Sequence, residues 1–135
     1  MFLTEGAEMH SLEKINTAQP KVINTPGLQW LVLPDEDTAS YTNWGDGRPG
    51  DASELVAKVN ADPALGAGFT DWRMPTKKEL KRHIGNEAAP KEGWFWSSSP
   101  YVGNSSAWFV NFYGGYVYLS NRNDNYQVRL VRVSQ

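Results

Sequence analysis

The run Gly93-Trp94-Phe95-Trp96-Ser97-Ser98-Ser99, then Ala107-Trp108-Phe109-Val110-Asn111-Phe112-Tyr113-Gly114-Gly115-Tyr116-Val117-Tyr118-Leu119-Ser120, decides how this 135-residue chain folds. Two alternating segments on either side of Gly114-Gly115 spell a β-hairpin, because a two-residue turn of the primed type needs positive φ at its centre. With those glycines as the loop, Tyr113 lies opposite Tyr116, Phe112 opposite Val117, Asn111 opposite Tyr118 and Val110 opposite Leu119. Side chains alternate along a strand, so Trp108, Val110, Phe112, Val117 and Leu119 share one apolar face that must be buried. The other face carries Asn111, Tyr113, Tyr116, Tyr118 and Ser120, with Phe109 at its end. The polar run from Asn121 through Asn123, Asp124 and Asn125 to Tyr126 continues it, and Gln127 to Val133 reads as a closing strand.

Tyr supplies a stiff, amphipathic contact at low entropic cost, and Asn or Ser supplies adaptable hydrogen bonding, so this face suits recognition. An ordinary sheet face has the same periodicity, since aromatic residues favour strands and cross-strand pairs stabilise them. Clustering favours recognition. Five of the six Tyr and five of the ten Asn fall between Tyr101 and Tyr126, a window that contains no Lys and no Glu.

Outside this stretch, composition sets limits. The length suits one domain with a core of its own. A formal net charge of -2 gives no basic field to draw nucleic acid or anionic lipid, and no apolar run has the length of a membrane span. With no Cys, disulfide frameworks, thiolate metal sites and cysteine nucleophiles are excluded. Met1 to Glu8 lacks the basic and apolar segments of a secretory signal, so the expectation is either no export by that route or prior removal of a leader.

Residues 1–20 are weakly patterned and read as an arm or tail, with the domain proper at 21–135. Lys21 to Asn24 and Leu28 to Leu33 read as strands around a turn in which Pro26 presets φ and Gly27 takes the left-handed position. Asp51-Ala52-Ser53-Glu54 opens a helix that should stop near Asp62-Pro63. Thr76-Lys77-Lys78-Glu79 is a capping box for a second, short helix ending at Gly85.

The segment Asp71-Trp72-Arg73-Met74-Pro75-Thr76-Lys77-Lys78-Glu79-Leu80 carries a resemblance. It is joined by Thr25-Pro26-Gly27-Leu28-Gln29-Trp30, Trp94-Phe95-Trp96-Ser97-Ser98-Ser99, Ala107-Trp108-Phe109-Val110-Asn111-Phe112 and Val128-Arg129-Leu130-Val131-Arg132. In that order these motifs resemble the DUF1566 domain family, which includes the C-terminal domain of the Legionella collagen-like adhesin, over roughly Val22 to Val133. Met74 stands where Leu is usual and Leu130 where Cys is common. The resemblance implies an α+β, C-type lectin-like fold: two helices packed on small antiparallel sheets, with the C-terminal β-hairpin and loop displaying a binding surface. It also implies a cell-surface or virion location. Members of this fold serve as variable proteins of diversity-generating retroelements, in which adenine-directed mutagenesis turns Asn codons into Tyr, Ser, Asp and similar ones. The make-up of Tyr101 to Tyr126 is similar to such a variable region, with Trp108, Val110, Phe112, Val117 and Leu119 as fixed inward positions.

Catalytic motifs are weak. His10 and His83 lie far apart, His83 shares a helix face with Leu80 and Ile84, and Ser97-Ser98-Ser99 has no evident base. The related formylglycine-generating oxidases need active-site cysteines, which this chain lacks. Asn123-Asp124-Asn125 and Asp35-Glu36-Asp37 offer oxygen ligands, but the loop and strand motifs of calcium-dependent lectins are missing, so neither a metal nor any cofactor is expected. Trp72, Trp94, Trp96 and Trp108 read as core. Arg73 should pair with a carboxylate, Asp71 should cap or pin a turn, and Arg129 and Arg132 face opposite sides, so only one should be interior.

The expectation is a non-enzymatic ligand-binding domain. Its contact set is Asn111, Tyr113, Tyr116, Tyr118, Asn121, Asn123, Asp124, Asn125 and Tyr126, with Tyr101 and Asn104 at the margin. The partner would be a protein or glycan receptor on the hairpin face, with no nucleic acid and no membrane insertion. The rivals are a carbohydrate-binding adhesin domain, and a structural or homo-oligomerising module of a larger surface or virion assembly.

Overall fold

The computed structural model describes residues 19–34, 44–45, 51–101 and 105–134. The expected arm at 1–20, apart from its last two residues, lies outside these, as do Asp35-Glu36-Asp37 and Asn104. The elements in order are β1 Lys21–Thr25, β2 Leu28–Val32, α1 Ala52–Ala61, α2 Lys77–His83, β3 Trp94–Pro100, β4 Ser106–Asn111, β5 Tyr116–Asn121 and β6 Leu130–Val133. The architecture is α+β, with two helices and two antiparallel three-stranded sheets ordered β1-β2-β6 and β3-β4-β5. Pairing β6 with β2 brings the end of the chain back beside its first hairpin. The closing strand begins at Leu130 rather than Gln127, because residues 122–128 do other work.

Local chemistry sets the element ends. Thr25 pairs with Leu28 across Pro26 and Gly27, and Gly27 has φ +80°, the left-handed value that Pro-Gly at the centre of a type II turn requires. Asp51 caps α1 by accepting from the amides of Ser53 at 2.9 Å and Glu54 at 3.3 Å. Thr76 and Glu79 form the expected reciprocal capping box of α2.

The segment before α2 ties the sheets together. Asn60 accepts from the Trp72 amide and donates to the Trp72 carbonyl, clasping that residue against α1. Arg73 exchanges two backbone bonds with Val131 of β6, each 2.8 Å, and its guanidinium forks onto both oxygens of Glu79 at 2.8 and 2.9 Å. Asp71 bonds Arg132 Nε at 2.7 Å.

Two apolar clusters result. One holds Leu31, Val59, Trp72, Trp96, Phe109 and Leu130; the other holds Trp30, Leu80, Phe95, Val110, Phe112 and Val131. Neighbouring residues of β2, β3, β4 and β6 thus feed opposite clusters, so these strands are covered on both faces. That explains a departure from expectation: Arg129 and Arg132 are both buried. Arg132 lies 3.7 Å from the Phe69 ring centroid, bonded to Asp71 and Gln29. Arg129 Nη1 reaches the Ala88 carbonyl at 3.0 Å and His83 Nε2 at 2.8 Å.

Candidate functional site

The hairpin forms, but its register differs from the one the glycines suggest. Asn111 pairs with Tyr116, Val110 with Val117, Phe109 with Tyr118 and Trp108 with Leu119, leaving a four-residue loop over residues 112–115. The cause is local. Asn111 Oδ1 accepts from the Tyr113 amide at 2.9 Å and the Asn111 carbonyl from the Gly115 amide at 2.9 Å, so the chain turns two residues early. Early turning lets Phe112 drop into the second cluster, edge-on to Phe95 at 5.4 Å. Gly115 takes φ +75°, and a Cβ on Gly114 would stand 2.1 Å from the Tyr116 ring. A shift of two residues leaves each side chain on its original face, so the separation of Tyr116 and Tyr118 from Val110 and Val117 survives.

Burial refines the two faces. Val110 and Phe112 are buried and Val117 partly so, but Trp108 is only half-buried and Leu119 is exposed. Trp108 sits under Lys77 Nζ, 4.0 Å from the ring centroid, with Tyr101 against it edge-on at 6.0 Å. Both lie toward the open end of that face, beyond the reach of the second cluster. Phe109, expected on the outer face, is 4% exposed. The segment after β5 covers it. That segment crosses from β5 to the free edge of β3, where Gln127 bridges Phe95, bonding the Trp94 carbonyl at 2.8 Å and the Trp96 amide at 3.0 Å. On the way Tyr126 lies over Phe109 at 4.7 Å, Trp96 at 4.8 Å and Trp94 at 5.2 Å, and its hydroxyl meets Ser120 Oγ at 2.8 Å.

What remains open on this side is a row and a half of the sheet. Trp94 pairs with Asn111 and Asn111 with Tyr116, so these three line up across β3, β4 and β5 on one face. Tyr118 follows in the next row, 5.8 Å from Tyr116 and 6.1 Å from Phe109. Trp94 stacks on Phe109 at 5.3 Å. Trp94, Tyr116 and Tyr118 are 44%, 54% and 51% exposed. They are three open rings of an aromatic chain whose inner members, Phe109 and Trp96, are fully packed.

Sequence reasoning assigned Trp94 to the core and so missed it as a surface residue. Its partner across the sheet, the outward Asn111, was the signal that could have placed it. Trp72 and Trp96 are core as expected. Of the expected contact residues, Asn111, Tyr116 and Tyr118 come together. Tyr113 is 80% exposed but sits at the loop tip. Tyr126 is half-buried as the lid on Phe109. Asn121, Asn123, Asp124 and Asn125 are exposed in the crossing segment, where Asn121 Oδ1 takes the Asn123 amide and Asp124 takes the Ser120 hydroxyl. Tyr101, touching Trp108, belongs to the opposite face.

His83 is packed. Its ring is 2% exposed, stacked on Trp30 at 3.9 Å, and burial together with the neighbouring Arg129 charge lowers its pKa to about 4. The Arg132 bond holds Asp71 below the usual carboxylate range, and the Arg73 fork does the same for Glu79. Among the described residues no group of three His, Asp or Glu side chains could hold a metal, and no helix is long and apolar enough to cross a membrane.

Fold and surface together define a small α+β domain that presents an aromatic sheet face beside a polar loop. The chain matches the Lcl C-terminal domain family over residues 22–132, and it belongs to that family. A search of curated protein sequences gives no match.

Proposed function

We propose that this is a non-enzymatic binding domain that engages a protein or glycan receptor through the face built by Trp94, Asn111, Tyr116 and Tyr118, with the 121–126 segment beside it. The observation that carries the reading is the exposure of three aromatic rings on one sheet face, where Trp94 and Tyr118 lie against the buried Phe109 and Tyr116 lies against Tyr118. Exposed apolar surface of this kind, rimmed by polar residues, marks interaction sites. Anchors already locked in place lose little entropy on binding. Membership of a family named for a surface protein's C-terminal domain supports an adhesin-type role, and a C-type lectin-like arrangement fits the two sheets and their crossing segment.

The finer reading is a variable protein of a diversity-generating retroelement. It is supported by the division of labour in the hairpin: Val110 and Phe112 pack inward while Asn111, Tyr116 and Tyr118 face out. Changing the outward set would leave the packed core alone. Sequencing the flanking DNA tests it. A near-copy of the segment encoding residues 101–132, differing at adenines and lying beside a reverse transcriptase gene, is expected; its absence sinks the retroelement reading and leaves the binding reading standing.

Binding is tested by screening a glycan array and a library of displayed surface proteins, then measuring affinity for variants. Trp94→Ala, Tyr116→Ala and Tyr118→Ala should each weaken binding by about 1–3 kcal/mol, with Lys78→Ala as the unchanged control. Loss of binding in the control alone would put the functional surface elsewhere. Sedimentation tests the rival structural role: an oligomer that buries Tyr116 and Tyr118 would leave no free site and would refute the binding reading.

A further inference from the structure

A second concave feature lies away from the aromatic face. A cleft of about 480 Å³ opens between the β1–β2 turn and the C-terminal end of α2. That volume falls within the roughly 300–1,000 Å³ of small-molecule sites. Pro26 and Leu28 give it apolar wall, and Trp30 and His83 line it as two parallel rings, 3.9 Å apart and 6° from coplanar.

The polar groups in this cleft are unequal. Arg129 is a donor only, so the 2.8 Å contact with His83 Nε2 makes that nitrogen the acceptor and leaves the proton of the neutral ring on Nδ1. Nδ1 has no hydrogen-bond partner among the described residues, in a ring that is 2% exposed. A buried donor without a partner is uncommon and calls for an explanation. Arg82, the adjoining helix residue, lines the same cleft and is exposed, with no carboxylate paired to it among the described residues. Glu79 also lines it, but both its oxygens are held by the Arg73 guanidinium and Oε1 also takes the Thr76 amide. Its charge is therefore matched, and among the described residues the cleft retains the Arg82 cation and the unused Nδ1–H of His83.

We propose that this cleft is a binding site for a small organic carboxylate. The carboxylate sits on Arg82, whose planar fork matches it, and accepts from His83 Nδ1. The body of the ligand lies against Pro26, Leu28 and the edge of the Trp30–His83 stack. The apolar wall of Pro26 and Leu28 favours a carboxylate with an apolar body, which makes aromatic acids the first class to examine.

Benzoate is the probe, titrated into the full chain with chemical shifts of the His83 ring and the Trp30 indole recorded, and benzamide is its neutral counterpart. Saturable shifts at both residues are expected by about 10 mM benzoate, enough to fill even a 1 mM site. Benzamide should bind roughly tenfold more weakly or worse, and Arg82→Ala should weaken benzoate by a similar factor, since a charge-assisted bond is lost. Arg82 is exposed, so its truncation leaves the fold intact, and Lys58→Ala on the exposed side of α1 should leave the titration unchanged. No saturable shift with benzoate, equal affinity for benzamide, or wild-type affinity in Arg82→Ala each overturns the assignment.

Discussion

Acidification should destabilise this domain well before its carboxylates are protonated, and the cause should be one imidazole. His83 is closed in by Trp30, Phe112 and Arg129. A ring that ordinarily ionises near 6.5 is held down to about 4 by burial and by the Arg129 charge. The unfolded chain therefore takes up a proton as pH drops past 6.5, while the folded domain resists until about 4. Stability is full above 6.5, falls across that window, and stops falling on this account below 4. The total is about 3 kcal/mol, of which about 2 kcal/mol is lost by about pH 5. Asp71 and Glu79 are held low by Arg132 and Arg73. Their contributions are present above the ordinary carboxylate pKa and are lost as pH falls through their lowered values, which keeps them clear of the upper part of the window. Urea titrations followed by Trp fluorescence between pH 7.5 and about 5 would measure the slope. In His83→Gln, whose amide oxygen can still accept from Arg129, the slope should nearly vanish. A wild-type stability flat from pH 7 to 5, or an undiminished slope in His83→Gln, would refute the argument.

Packing makes further demands. Trp96→Ala should cost about 3–5 kcal/mol in denaturant titration, because Trp96 is fully buried, whereas half-buried Trp108→Ala should cost less, about 1–2 kcal/mol. Tyr116→Ser and Tyr118→Asn should stay within about 1 kcal/mol; losses equal to that of Trp96→Ala would mean that the hairpin faces are reversed. Gly115→Val should lower the melting temperature clearly, because φ +75° is strained for a β-branched residue, and an unchanged melting temperature would contradict the turn. Millimolar calcium or chelator should leave the melting temperature where it is, since a ligand of the native state would have to raise it.

Much of this was written in local sequence. Both helix caps, the Pro-Gly turn and the alternation through Val110, Asn111, Val117 and Tyr118 depend on residues a few positions apart, and they formed as read. The ordered motifs around Trp72 and Trp96 also placed the family. Tertiary structure decided the rest, because coverage of a surface is a property of distant segments. Phe109 faces the Tyr side by periodicity yet is buried, since Tyr126 returns over it from the next loop. Trp94 carries the same large apolar ring as Trp96 but lies one row nearer the rim and stays open. Periodicity assigns a side chain to a face. Whether that face meets water at a given row depends on which later segment crosses it. The two arginines near the C-terminus teach the same physics: they point to opposite faces, as alternation demands, and both are buried because the fold packs a cluster on each side.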